Sequence, residues 1–234
     1  MYDPQLTVIA DGGAPETHRL ARCVVAGWTG RDPAKVRHHI DELAAIGVPP
    51  PSSVPVYYRV AASMVTQADR IEALGIESSG EVEPVLFDTG TELLLGLGSD
   101  HTDRALETHS VAAAKQICAK PVAAAFWRFD RVAERLDELE LRAWIREAPG
   151  ADWTLYQEGT VAAIRPLTEL IAGSPHRAPD LPGRLLAGSL MFCGTLGAIG
   201  GVRPAAAFKM ELRDPADGSS LTHSYTVETL PAVS

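Results

Sequence analysis

Cysteine is scarce in this 234-residue chain: Cys23, Cys118 and Cys193 are odd in number, far apart, and form no CxxC. That excludes a disulfide scaffold and points to a reducing compartment. No apolar run is long enough to span a bilayer. The opening Met1-Tyr2-Asp3-Pro4 has neither the basic nor the apolar stretch of a signal peptide. No basic run interleaves with aromatics, and the net charge of −9 disfavours nucleic acid as a partner. Internal repeats and low-complexity tracts are also missing. The expectation is a cytoplasmic protein that touches neither membrane nor nucleic acid. What the chain has is 46% hydrophobic residues, ample for a core without structural zinc.

The pattern along the chain is strand-heavy. Leu6 to Ala10 and Leu20 to Trp28 read as strands. Asp32-Pro33 opens a helix, with Asp as N-cap and Pro at the first helical position. Val36, Ile40, Leu43 and Ala44 give it an apolar stripe, and Gly47 is the expected stop. Val54 to Val60, Ile71 to Leu74, Glu81 to Phe87 and Glu92 to Leu97 read as extended, with a hairpin turn at Thr89-Gly90. Asp103 to Ala114 and Thr160 to Leu170 read as helices, the latter broken or entered at Pro166. Trp127 to Phe129 reads as a strand, Leu136 to Ile145 is mixed, and Arg184 to Val227 is strand-like. Gly173 to Gly183 reads as a surface loop. No βαβ rhythm is present, so the expected class is α+β and strand-rich.

Glu81 and Glu83 lie two apart on an expected strand and share one face. A tight hairpin returns the next strand, ending at Gly98-Ser99-Asp100, to their level. Asp100 then sits beside them, and three carboxylates on rigid strands suit Mg²⁺, Mn²⁺ or Ca²⁺. The same spacing describes two glutamates on a surface edge strand, and spacing alone favours that reading. A second pair shifts the balance. His39 and Glu42 are three apart on the first helix, where a carboxylate can hold a histidine as a general base. His38 is equally available, and an isolated pair of this kind is more often a solvated helix face.

In this order, the two groups resemble the fumarylacetoacetate-hydrolase superfamily. His39-Ile40-Asp41-Glu42 matches its His/Glu helix, and Val54-Pro55-Val56-Tyr57-Tyr58 its Pro-x-x-Phe strand. Gly80-Glu81-Val82-Glu83 matches its Glu-x-Glu segment, and Gly98-Ser99-Asp100-His101-Thr102-Asp103-Arg104 its Gly-Asn-Asp-x-Thr-x-Arg. Ala114-Lys115-Gln116, Leu139 to Ile145, Tyr156 to Thr160, and Gly188 with Cys193 to Gly200 follow the later motifs. The likeness covers roughly residues 20 to 228 and is greatest to a DUF2848-like branch carrying Ser-Asp-His-Thr-Asp-Arg. Four departures stand out. Only sixteen residues separate Glu83 from Asp100, Arg59 or Val60 replaces a lysine, Leu196 replaces a proline, and His101 is unusual beside the metal Asp.

The resemblance implies a mixed β-sandwich or β-roll with a few peripheral helices. It implies one catalytic domain over 1–234, with N-terminal strands over 1–30 and a catalytic core over 31–228, paired as a homodimer. It implies Mg²⁺, or Mn²⁺ or Ca²⁺, on Glu81, Glu83 and Asp100. The implied reaction is hydrolytic cleavage of a carbon–carbon bond in a diketo acid or acylpyruvate, through an enolate that the ion stabilises. His39 and Glu42 would activate water, and Lys115 would stabilise developing charge. Arg104, Gln157, Gly194 and Thr195 would bind substrate. The same site would also serve a 2-oxo acid decarboxylase, hydratase or isomerase, or a non-catalytic carboxylate-binding module. A cupin-like barrel is disfavoured, because the histidines fall mostly on expected helices and loops.

Overall fold

The computed structural model describes residues 4–45 and 50–233; the side chains of His39, Glu42, Leu43 and Ala45 and the expected stop at Gly47 lie outside the described residues. Three strands open the chain, β1 (Gln5–Ala10), β2 (Glu16–Arg19) and β3 (Arg22–Gly27). Helix α1 (Pro33–Ala45) begins at the expected cap, where Asp32 Oδ1 accepts from the amides of Ala34 and Lys35 at 2.9 and 3.3 Å. Next come β4 (Val56–Val60), β5 (Val65–Thr66), β6 (Arg70–Leu74) and β7 (Ser78–Ser79). The expected hairpin is β8 (Val82–Asp88) and β9 (Leu93–Ser99), closed by Thr89 N donating to Glu92 O at 3.0 Å. Every residue of both strands is buried. Burial on both faces suits the apolar stretches Val85-Leu86-Phe87 and Leu93-Leu94-Leu95 within them.

The helix expected over Asp103 to Ala114 is two helices. After β10 (Thr102–Asp103) come α2 (Arg104–Glu107) and α3 (Val111–Ile117). Asp103 Oδ1 caps the first through Leu106 N at 2.8 Å, and Ser110 Oγ caps the second through Ala113 N at 3.3 Å. The second cap starts a separate helix. The chain continues through β11 (Lys120–Pro121), β12 (Ala125–Arg128) and α4 (Phe129–Val132), so Phe129 starts a helix where a strand end was expected. A 3₁₀ turn over Ala133–Glu138 leads into β13 (Glu140–Arg146). Strand β14 (Thr154–Thr160) follows, outside the strands read from the sequence. The Thr160 to Leu170 segment is a 3₁₀ turn over Val161–Ala163 and then α5 (Leu167–Gly173), entered at Pro166. The strands β15 (Ser189–Phe192), β16 (Ala207–Arg213) and β17 (Ser220–Leu230) complete the chain.

Two large sheets result. One has eight strands in the order β2-β1-β12-β9-β8-β15-β3-β4, and the other five in the order β14-β13-β16-β17-β6. Both are mixed: β1 with β12, β15 with β3, and β17 with β6 are parallel, among otherwise antiparallel pairs. Leu86, Leu95 and Leu97 of the larger sheet pack with Leu141, Phe208, Met210 and Tyr225 of the smaller one. The larger sheet also curls, so that Val8, Val25, Phe87, Leu94, Phe126 and Phe192 form a second core on its other face. This is the strand-rich architecture expected, with few helices and curled sheets. The segment 173–183 is largely exposed, and it leads from α5 back into the larger sheet. Among the described residues no helix is long and apolar enough to cross a membrane.

Candidate metal centre

The short connection between Glu83 and Asp100 is the hairpin itself, and it brings the carboxylates together. Register places Val82 opposite Ser99 and Glu83 opposite Gly98. One residue further out, Asp100 N donates to Glu81 O at 3.0 Å. One carboxylate oxygen from each of Glu81, Glu83 and Asp100 then lies within 4.8 Å of the others. Glu83 and Asp100 are buried, and Glu81 is partly exposed.

Side chains bond both backbone polar groups of the residue between the two glutamates. Gln157 Oε1 accepts from Val82 N at 3.0 Å, and Thr195 Oγ1 donates to Val82 O at 2.8 Å. Gln157 Nε2 donates to Thr195 Oγ1 at 2.8 Å and to Leu196 O at 2.6 Å. Gly194 N donates to Glu83 Oε2 at 2.7 Å. Gly194 has φ of 108°, and a Cβ there would meet Thr29 Oγ1 at 1.7 Å, so only glycine allows this approach.

Three cations surround the carboxylates. Lys115, near the end of α3, forms a short ion pair with Asp100 Oδ2, and its Nζ is 3.8 Å from Glu81 Oε2. Lys120 is wholly buried. Its Nζ donates to His101 O at 2.6 Å and to Cys118 O at 3.1 Å, and lies 3.2 Å from Asp100 Oδ1. Arg104 spans Ser79 Oγ at 2.7 Å, Glu107 Oε2 at 2.8 Å and Glu81 Oε1 at 3.1 Å.

The electrostatics follow from this packing. Burial alone would lift Asp100, but Lys115 and Lys120 outweigh it and hold the carboxyl below the usual range. Burial would lower Lys115, but Asp100 and Glu81 outweigh that and keep it protonated. For Glu83 the relief from Lys115 and the Gly194 amide is too small to offset the opposing causes. Burial, then Asp100 and Glu81, push it well above 4.5. His101 is pushed down to about 3 by burial, so it is neutral.

Two of these features fit a cation. Glu83 is raised by like charges that a cation would offset. Asp100 Oδ1 is buried and, although close to Lys120, makes no hydrogen bond. The donor set is all oxygen, which suits Mg²⁺, Mn²⁺ or Ca²⁺ better than zinc. The three carboxylates can therefore hold a divalent ion. Two surface clefts lie elsewhere, one along Ser63, Arg70 and Glu72 and one along Ser53, Tyr57 and Pro175, and none of these residues belongs to the carboxylate group.

Of the residues singled out from sequence, Lys115, Arg104 and Gly194 reach the carboxylates directly. Gln157 and Thr195 reach the backbone of Val82 between the two glutamates. His39 and Glu42 lie on α1, but their side chains are outside the described residues. Sequence reasoning missed Lys120 and Tyr225. Lys120 had a signal, as the lone charge in the stretch Ile117 to Trp127. Tyr225 had none, because it comes from β17, far along the chain.

Residues 26–225 match the family described as "Protein of unknown function (DUF2848)". The chain belongs to the DUF2848 family. No curated protein matches it by sequence. Solved structures share the fold at low identity. Cg1458 is 14% identical with a TM-score of 0.58, over 94% of this chain and 85% of that one. The 2-keto-3-deoxy-D-arabinonate dehydratase complexed with magnesium and 2,5-dioxopentanoate is 11% identical with a TM-score of 0.56, over 90% and 74%. The 4-oxalocrotonate decarboxylase from Pseudomonas putida G7, complexed with calcium and acetate, is 14% identical with a TM-score of 0.51, over 90% and 79%. The motifs had indicated the DUF2848 family, and these solved structures share its fold.

Proposed function

We propose that this DUF2848 protein is a divalent-metal-dependent enzyme that cleaves a carbon–carbon bond beside the carbonyl of a diketo acid or acylpyruvate. The observation that carries this reading is charge. Glu81, Glu83 and Asp100 converge among Lys115, Lys120 and Arg104, and with Glu107, which also pairs with Arg104, four carboxylates face three cations. A divalent ion added to that set leaves an excess of positive charge, which favours an anionic, oxygen-chelating ligand such as an oxo acid. When bound, the ion supplies Lewis-acid polarisation of a carbonyl and offsets the charge of an enolate.

The chain's own groups do the rest. Lys115 stays protonated, so it donates hydrogen bonds to developing negative charge and does not act as a base. Arg104 Nη2 is buried without a hydrogen bond despite its ion pair with Glu81, and it can turn a donor to a substrate carboxylate. Gln157, Gly194 and Thr195 have their polar groups bonded within the protein, so we assign them to bracing Glu81 and Glu83 ahead of touching substrate. His39, oriented by Glu42, removes a proton from the attacking water. The catalytic unit spans 31–228 with strands 1–30 built into its sheet, and it works as a homodimer.

A second reading keeps the site and removes the water. Dehydration or decarboxylation of a 2-oxo acid needs the same ion and enolate, and two proteins of this fold are named for those reactions. Turnover of acylpyruvates and 2-oxo acids with Mg²⁺, in wild type and His39→Ala, separates the two. Loss of turnover in His39→Ala with metal affinity intact supports hydrolysis. Undiminished turnover supports the lyase reading. Tight oxalate binding with no turnover of any substrate would leave a carboxylate-binding module.

A further inference from the structure

His101 stands out in sequence and is not used by the chemistry above. It is buried, and both ring nitrogens are bonded: Nε2 to Ser78 Oγ at 2.9 Å and Nδ1 to Tyr225 OH at 3.0 Å. The same Tyr225 hydroxyl bonds Ser99 Oγ at 2.8 Å. Ser99 and His101 are the two sequence neighbours of Asp100. Their side chains meet at that hydroxyl, whereas the Asp100 carboxylate meets Lys115 and Lys120. One hydroxyl therefore grips the chain both before and after a metal-ligating carboxylate. Ser99 Oγ also accepts from Glu81 N at 3.2 Å, so the grip extends to the backbone of a second carboxylate residue. Tyr225 belongs to the five-stranded sheet, whereas the ligands belong to the hairpin of the eight-stranded one. Its ring packs on Phe208, with centroids 5.6 Å apart. Gly80 leaves room for it, since a Cβ there would meet Tyr225 OH at 2.7 Å.

We propose that Tyr225, with His101 and Ser99, is a clamp that sets the spacing of Asp100 and Glu81 and thereby the preference of the site for a small ion over a large one. The proposal rests on the metal-centre reading. Mg²⁺ demands near-octahedral oxygens at about 2.1 Å, whereas Ca²⁺ accepts looser sets at about 2.4 Å. Partners that orient ligands commonly change metal affinity by about tenfold or more. Releasing the clamp therefore costs Mg²⁺ more than Ca²⁺. These are positioning residues, and none of them touches the ion.

The test is calorimetric titration of the chelator-treated protein with Mg²⁺ and with Ca²⁺, alongside its thermal unfolding. Tyr225→Phe removes the hydroxyl and keeps the ring. It should weaken Mg²⁺ binding by about tenfold and Ca²⁺ by clearly less. Unchanged affinities, or equal losses for both ions, overturn the clamp. Should Tyr225→Phe not fold, Ser78→Ala loosens the far end of the chain. It should move the ratio the same way by a smaller factor, and no movement overturns the proposal. The metal reading fails separately: wild type then binds neither ion, or Glu83→Gln binds as wild type does, and the clamp falls with it.

Discussion

At the scale of single residues, Asp100 is the pivot, because it is both a proposed metal ligand and the counter-charge to two lysines. Asp100→Asn strands Lys115 and Lys120 against a neutral amide. Breaking a buried pair from one side costs about 3–5 kcal/mol. We expect urea unfolding to show a loss of that order, and Mn²⁺ titration to show no tight site. Glu83 behaves in the opposite sense. Its carboxyl is raised above its ordinary 4.5, so the folded chain holds that proton more tightly than the unfolded one. Its contribution to stability is present below 4.5 and is lost as pH rises through the raised value. A bound cation needs the proton gone, so Mg²⁺ affinity should fall as pH drops toward that raised value, with a proton released on binding. Titrations in buffers of differing ionisation heat will read the proton, and Glu83→Gln should release none.

At the scale of elements, two devices can be tested apart. Gly194 brings a backbone amide onto Glu83 from a left-handed conformation that a side chain cannot share. Gly194→Ala adds strain on the order of 1–3 kcal/mol and moves that amide away. Both the thermal midpoint and Mn²⁺ affinity should fall. Helix α1 is held at its start by Asp32, whose loss costs about 1 kcal/mol. Asp32→Ala should reduce turnover if α1 presents the base, while Mn²⁺ affinity stays at the wild-type value. A parallel loss of affinity would instead place α1 in the metal site. The elements also show what local pattern conveys. The β8–β9 hairpin was readable because two apolar runs flank a turn. The break between α2 and α3 was not, since both carry helix-forming residues and only the Ser110 cap divides them. β14 was missed because Gln157, Glu158 and Gly159 carry no apolar alternation, whereas pairing with β13 makes them strand.

At the scale of the whole molecule, ion binding is coupled to folding, because the carboxylates converge only in the folded chain. An ion at a hundredfold excess over its Kd should stabilise the protein by about 2.7 kcal/mol. Chelation should reverse the accompanying rise in thermal midpoint. Asp100→Asn should show no rise, whatever ion is added.

The sequence by itself determined the strand-rich class, the start of α1, the central hairpin and the convergence of Glu81, Glu83 and Asp100. Those depend on near neighbours, where alternation, caps and a tight turn dictate geometry within a few residues. Only the tertiary structure decided what surrounds them. Lys120 reaches Asp100 after a turn of chain that no periodicity specifies. Gln157 and Thr195 brace Val82 from distant segments, and Tyr225 arrives from the opposite sheet. Those contacts arise from how two sheets stack, a matter of packing between segments far apart in the chain, which local pattern does not encode.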